Sequence, residues 1–131
     1  MKGHVVLRQK DLMDQSESVV ADGPCLFDGA RLSYMEPDGA KHVVCFRDDR
    51  VEIERSGQVR TRLFLSRKDT GKCVVESDYG VMEMAAVLAG YQWNGRLAFV
   101  EYALKTGDEI VARKQMQWEV SIPLDKEKRR G

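Results

Sequence analysis

Between Ile110 and Ile122 the chain reads IVARKQMQWEVSI, and nothing else in the sequence restricts the fold as much. Ile110, Ala112, Met116, Trp118, Val120 and Ile122 fall on one face of an extended backbone, with Lys114 the single polar member of that set. Val111, Arg113, Gln115, Gln117, Glu119 and Ser121 fall on the other. Side chains alternate with period two in a strand, so this is one long strand with a wet face and a face that needs a core. Trp118, with Met116 and Val120, is expected to face that core.

Turn signals recur along the rest of the chain at intervals of roughly eight to twelve residues, the spacing of an all-β sandwich or barrel. They are Asp22–Pro24, Asp28–Ala30, Glu36–Ala40, Arg47–Arg50, Arg55–Gln58, Lys68–Lys72, Trp93–Gly95 and Thr106–Glu109. Most join Gly to Asp, Asn or Ser, the residues that tolerate tight-turn geometry. The segments between them alternate. Val51 and Ile53 alternate with Glu52 and Glu54, and Val59, Leu63 and Leu65 with Arg60 and Arg62, with Ser56-Gly57 as the turn between. Glu17 to Ala21 and Ala30 to Glu36 are shorter strands, the second ended by Pro37.

The stretch SDYGVMEMAAVLAGYQWNG, Ser77 to Gly95, can be read two ways. Met, Glu, Ala and Leu favour a helix. Its start, however, lacks a capping box: Asp78 is followed three residues later by Val81, and Gly80 would weaken the first turn. Asn94-Gly95 is the strongest short hairpin signal in the chain and leads into RLAFVEYALKTG, rich in strand formers. A hairpin needs a partner just before Asn94, so Gly80 to Trp93 is expected to be a long strand, bent at Gly90. A two-residue turn would place residues opposite each other when their numbers sum to about 189, with Glu83 facing Thr106 and Glu101 facing Leu88.

The pattern amounts to nine or ten antiparallel strands joined by hairpins. Closing such a sheet removes its edges, so the expected fold is all-β: one up-and-down antiparallel barrel of about eight to ten strands. With 131 residues the chain fits one domain, burying about two-thirds of its unfolded surface without staples. The barrel is expected over residues 1–124, with the charged run DKEKRRG at 125–131 a disordered tail.

Basic and acidic residues number 21 each, which argues against a general nucleic-acid binder. The excess of basic residues between Arg47 and Lys72 reads as solvated strand faces, with a local anion-binding face as the alternative. No apolar run approaches the ~20 residues of a membrane helix. The start, MKGHVVLRQKDL, carries charge too early for a secretory segment, so a cytoplasmic protein is expected. Cys25, Cys45 and Cys73, odd in number and without a CxxC, suggest neither a disulfide framework nor a structural zinc site, and Cys45 and Cys73, inside apolar runs, read as reduced core or strand-face thiols. His4 and His42 suggest no metal site; His42 reads as a half-exposed strand residue. No cofactor is implied, and GxSxG, HExxH, GxxxxGK and GxGxxG are all absent.

The residues that carry chemistry are therefore those a barrel would gather. Arg55 and Arg62 would fix a ligand's negative group. Glu83 and Glu101, carboxylates in mid-strand, would pair that arginine or accept hydrogen bonds. Tyr79 and Trp118 would supply apolar wall.

The run VEIERSGQVRTRLFL, then SDYGVMEMAAVL, then a long C-terminal hairpin, resembles the YwiB-like family of small bacterial proteins. Arg55, Gly57, Phe64, Tyr79, Gly80 and Met84 match the family's local pattern, and the resemblance spans about His4 to Ile122. Ser77-Asp78 stand where the family tends to Thr-Pro, and Leu88 where Thr is frequent. The resemblance implies a calycin-like, lipocalin-related barrel. By fold analogy it also implies a small, partly apolar or amphipathic ligand in the interior. Two other readings stand beside that one. The first is a structural or interaction protein acting through a homodimer or partner interface, using the apolar segment between Val81 and Trp93. The second is an enzyme acting on an anionic metabolite through a buried carboxylate or arginine.

Overall fold

A computed structural model describes residues 1–122; the end of the expected domain and the charged tail lie outside the described residues. The chain forms β1 (Lys2–Asp11), β2 (Glu17–Phe27), β3 (Arg31–Met35), β4 (Lys41–Phe46), β5 (Arg50–Ser56), β6 (Arg60–Ser66), β7 (Gly71–Ser77), β8 (Gly80–Trp93), β9 (Leu97–Thr106) and β10 (Glu109–Ser121). Each strand pairs antiparallel with the next, and β1 also pairs with β10, closing a ten-stranded barrel. The expected up-and-down barrel is the observed fold. No described helix is long and apolar enough to cross a membrane.

Burial follows the alternation. On β10, Met116, Trp118 and Val120 are buried and their neighbours are exposed or half-buried. β8 is a strand through its whole length: propensity for helix loses to pairing with β7 on one edge and β9 on the other. Its bend is a bulge between Leu88 and Gly90, where Ala89 has no partner. Leu88 packs on the core before the bulge, and Tyr91 and Trp93 pack on it after. The bulge therefore switches the inward phase of β8 from even-numbered to odd-numbered residues.

Two local expectations change. The hairpin register is not 189: Trp93 faces Ala98 and Tyr91 faces Val100, then, past the bulge, Leu88 faces Tyr102. The loop is longer than two residues because the Asn94 side chain organises it, its Oδ1 accepting from Arg96 N at 3.1 Å and Leu97 N at 2.8 Å. Glu101 accordingly faces Gly90, and the β8–β9 ladder starts at Ala85, leaving Glu83 without a β9 partner.

The second change is at Asp22–Pro24, which is not a turn but the middle of β2. Phe27 N donates to Met1 O at 2.8 Å, so alternation turns Pro24's nitrogen away from β1, toward β3. The β2–β3 ladder begins only at Cys25 opposite Tyr34, so the missing N–H leaves no ladder bond unmade.

Aromatic rings fill the middle of the barrel. Phe46 stacks on Trp93 at 4.7 Å between centroids and meets Trp118 edge-on at 5.5 Å. Phe27 meets Trp93 edge-on at 6.0 Å. Trp118, fully buried, donates from Nε1 to Tyr34 OH at 2.8 Å. At the end where the β2–β3, β4–β5, β6–β7 and β8–β9 loops gather, Tyr91 OH donates to Arg47 O at 2.6 Å. Arg67 lies over the Tyr91 ring, 4.9 Å from its centroid, and donates to Tyr91 O. These contacts plug that end.

Candidate functional site

The opposite end, where the other five hairpin loops gather, is open. A cavity of about 340 Å³ lies there. Its apolar lining is Val20, Ile53, Leu63, Tyr102 and Met116, and its polar lining is Gln9, Glu36, His42, Arg55, Thr61 and Lys114.

Cross-strand pairing builds the polar lining. His42 faces Tyr34 of β3 on one side and Arg55 of β5 on the other. It shares the inward phase of Val44 and Phe46, so it is buried, only 3% exposed, and not half-exposed as its sequence context suggests. Its ring stacks on Tyr34 at 4.7 Å and 29°. Glu36, just past β3, turns in over this row from the β3–β4 loop. The loop is held by Glu36 N to Ala40 O, Gly39 N to Glu36 O and Ala40 N to Asp38 Oδ1. Gly39 takes a φ of 95°, a conformation that glycine adopts at no steric cost.

One carboxylate oxygen then serves two donors. Glu36 Oε2 lies 2.5 Å from His42 Nε2 and also accepts from Arg55 Nε. Arg55 has a second, looser partner in Asp38, at 3.8 Å. Burial pushes the Glu36 carboxyl up, but the hydrogen bonds from Arg55 and His42 outweigh it, and its pKa lies below the ordinary glutamate value. The Arg55 guanidinium is raised in turn, chiefly by its hydrogen bond to Glu36. The Tyr34 and Tyr102 hydroxyls are both pushed far up by burial, so they stay neutral donors or acceptors. His42 Nδ1, equally buried, has no hydrogen-bond partner among the described residues.

Of the residues nominated from sequence, Arg55 stands in this lining, and Trp118 lies deeper, on the barrel's inner face. The others are elsewhere. Arg62 points outward and pairs with Glu76 at 2.7 Å. Glu101 is also on the outer face, accepting from Gln115 Nε2 at 2.7 Å. Glu83 is exposed, and Tyr79 is fully exposed at the tip of the β7–β8 hairpin. Among the described residues neither glutamate pairs an arginine: Arg55 is held by Glu36, and Arg62 by Glu76. Glu36, His42, Lys114 and Gln9 were not nominated. Lys114 did leave a signal, as the only polar residue on the inward face of β10. Glu36 left none, since its position depends on how the β3–β4 loop folds back. Among the described residues, no group of three or more His, Cys, Asp or Glu side chains is placed to hold a metal ion.

The model of a family described as a domain of unknown function, DUF1934, matches residues 4–117. Among solved structures, the crystal structure of the ywiB protein from Bacillus subtilis is similar, with a TM-score of 0.62. The match covers 92% of this chain and 94% of that one at 15% identity, a likeness of fold. No curated protein sequence matches the chain.

Proposed function

From the premise that this chain belongs to the DUF1934 family and carries the YwiB-like barrel, we propose that it binds a small, partly apolar molecule in the open mouth of the barrel. The observation that carries this reading is the contrast between the two ends. One end is plugged and the middle is packed with rings, whereas the mouth keeps about 340 Å³ lined by apolar side chains and a row of ordered polar groups. That volume is at the lower end of small-molecule sites, and a few convergent polar groups on an apolar lining is their usual make-up. Free cysteines at positions 25, 45 and 73 support a reducing, cytoplasmic setting.

Native mass spectrometry of the protein isolated from its own host tests the reading. The expected result is a reproducible adduct of small-molecule mass, lost when Met116→Trp fills the mouth. A clean apo mass from every preparation would remove the reading.

A second reading rests on a different surface. Tyr79, Val81 and Met82 are exposed at the β7–β8 hairpin, and the β9 side of residues 80–84 has no strand partner among the described residues. Two such edges related by a twofold axis would pair as one antiparallel ladder, giving a homodimer. Sedimentation velocity decides it: a dimer that dissociates in Val81→Lys supports it, and a monomer at high concentration sinks it.

A further inference from the structure

We propose that the mouth is built for a monoanion with an apolar body, its negative group set against Lys114 and its body against Leu63, Tyr102 and Met116. This rests on the reading of the mouth as a ligand site and adds the chemical class of the ligand.

The charge inventory of the mouth leads there. Glu36 is engaged by Arg55 and His42 through one oxygen, and Arg55 is engaged by Glu36 and Asp38. That leaves Lys114. It shares the inward phase of Met116 and Trp118, it lines the cavity, and it makes no ion pair among the described residues. The register sets it opposite Tyr102 on β9 and Asp11 on β1. Tyr102 offers a neutral hydroxyl. The Asp11 carboxylate is turned to the β1–β2 loop, its Oδ1 accepting from Met13 N at 2.9 Å and Asp14 N at 3.4 Å.

Lys114 is half-buried on the inner face, so an anion in the mouth would gain a charge-assisted hydrogen bond from it. Arg55 has Glu36 and Asp38 as partners, whereas Lys114, on the same lining, has no carboxylate partner among the described residues. A single anionic group supplies that partner. The apolar lining beside Lys114, Tyr102 and Met116 among it, has room for a short chain or one ring, but no second unpaired cation among the described residues stands there for a dianion.

Methyl-labelled methionine reports the site, because Met116 lines the mouth whereas Met35 is exposed on the outer surface. The probes are octanoate against 1-octanol and benzoate against benzyl alcohol, pairs that share a body and differ in charge. The expected result is a shift at Met116 with at least one acid, which binds about tenfold more tightly than its alcohol, the size of one charge-assisted hydrogen bond. Lys114→Met, an apolar replacement that keeps the stem, should abolish that preference, and Lys114→Arg should keep it. Acid and alcohol binding equally at Met116, or a preference that survives Lys114→Met, would overturn the monoanion and leave the mouth as a neutral site. No Met116 shift with any of the four compounds, or shifts at Met35 alone, would overturn both this inference and the mouth itself.

Discussion

Glu36 shows how much one side chain past the end of a strand can hold. Its Oε2 satisfies a buried imidazole and a half-buried guanidinium together, so Glu36→Ala strands both donors at once. The expected cost is about 2–3 kcal/mol in urea unfolding, since bonds to charged groups are worth more than neutral ones and the donors left behind stay desolvated. The same residue sets an acid limit. The Glu36 pKa is below 4.5 in the folded protein, so its contribution is fully present above the unfolded value and is lost as pH falls through the folded one. Stability followed from pH 6 to pH 3 should fall for the wild type, and less steeply for Glu36→Gln. Deeper in, Tyr34→Phe removes the acceptor of the Trp118 N–H, and about 1–3 kcal/mol should follow from stranding that donor. The thiols are testable too. Cys25 and Cys73 are buried and burial raises both pKa values, so a thiol reagent should leave them unlabelled in the native protein and label all three cysteines in denaturant.

Among the strands, β8 carries the most information. Its fourteen residues pair with β7 over Gly80–Ala86 and with β9 over Ala85–Trp93, so the strand is long because it changes neighbours along its length. That stagger is what a closed barrel requires of tilted strands. The alternation of β10 was legible because one face is apolar but for Lys114, and the bulge of β8 because Gly90 interrupts a strand whose two faces are both largely apolar. The register next to it was not legible: Asn94-Gly95 announces a turn, but the length of that turn is set by how the Asn94 side chain bonds the backbone. Gly71 carries a second element-scale constraint with no sequence signature. A Cβ there would lie 1.7 Å from Phe64 O, where the backbones of β6 and β7 come together. Gly71→Ala must therefore part the two strands, and a loss of roughly 3 kcal/mol or more is expected in thermal or urea unfolding.

For the molecule as a whole, the ladder between β1 and β10 joins residues more than a hundred positions apart in sequence, for instance Val5 and Val120. Every other ladder links neighbours in the chain, so hairpins can form locally but the barrel closes only after a long loop has been ordered. Folding should accordingly be slow, in the millisecond-to-second range of all-β domains. Trp93 and Trp118 both pack on Phe46, so stopped-flow tryptophan fluorescence reads the final packing directly, and microsecond refolding would contradict it. The asymmetry of the barrel, one end plugged by Arg67 on Tyr91 and the other holding a cavity, belongs to this scale as well, because each end is assembled from loops distant in sequence.

Sequence alone determined what depends on residues close together in the chain. Period-two alternation made the strands, recurring turn residues made them antiparallel neighbours, and apolar faces that need covering closed them into a barrel. It also marked Lys114 as out of place on an inward face, and Arg55 as a charge worth following. Only the tertiary structure decided where charges meet. His42, Arg55 and Tyr34 lie in three strands and become one row by register, and Glu36 reaches them because its loop folds back over the mouth. Arg62 and Glu101, equally prominent in sequence, face outward. Which side a polar residue takes depends on a register slip of one residue or a single bulge, and those are set by side-chain bonds and packing between segments, which local pattern does not encode.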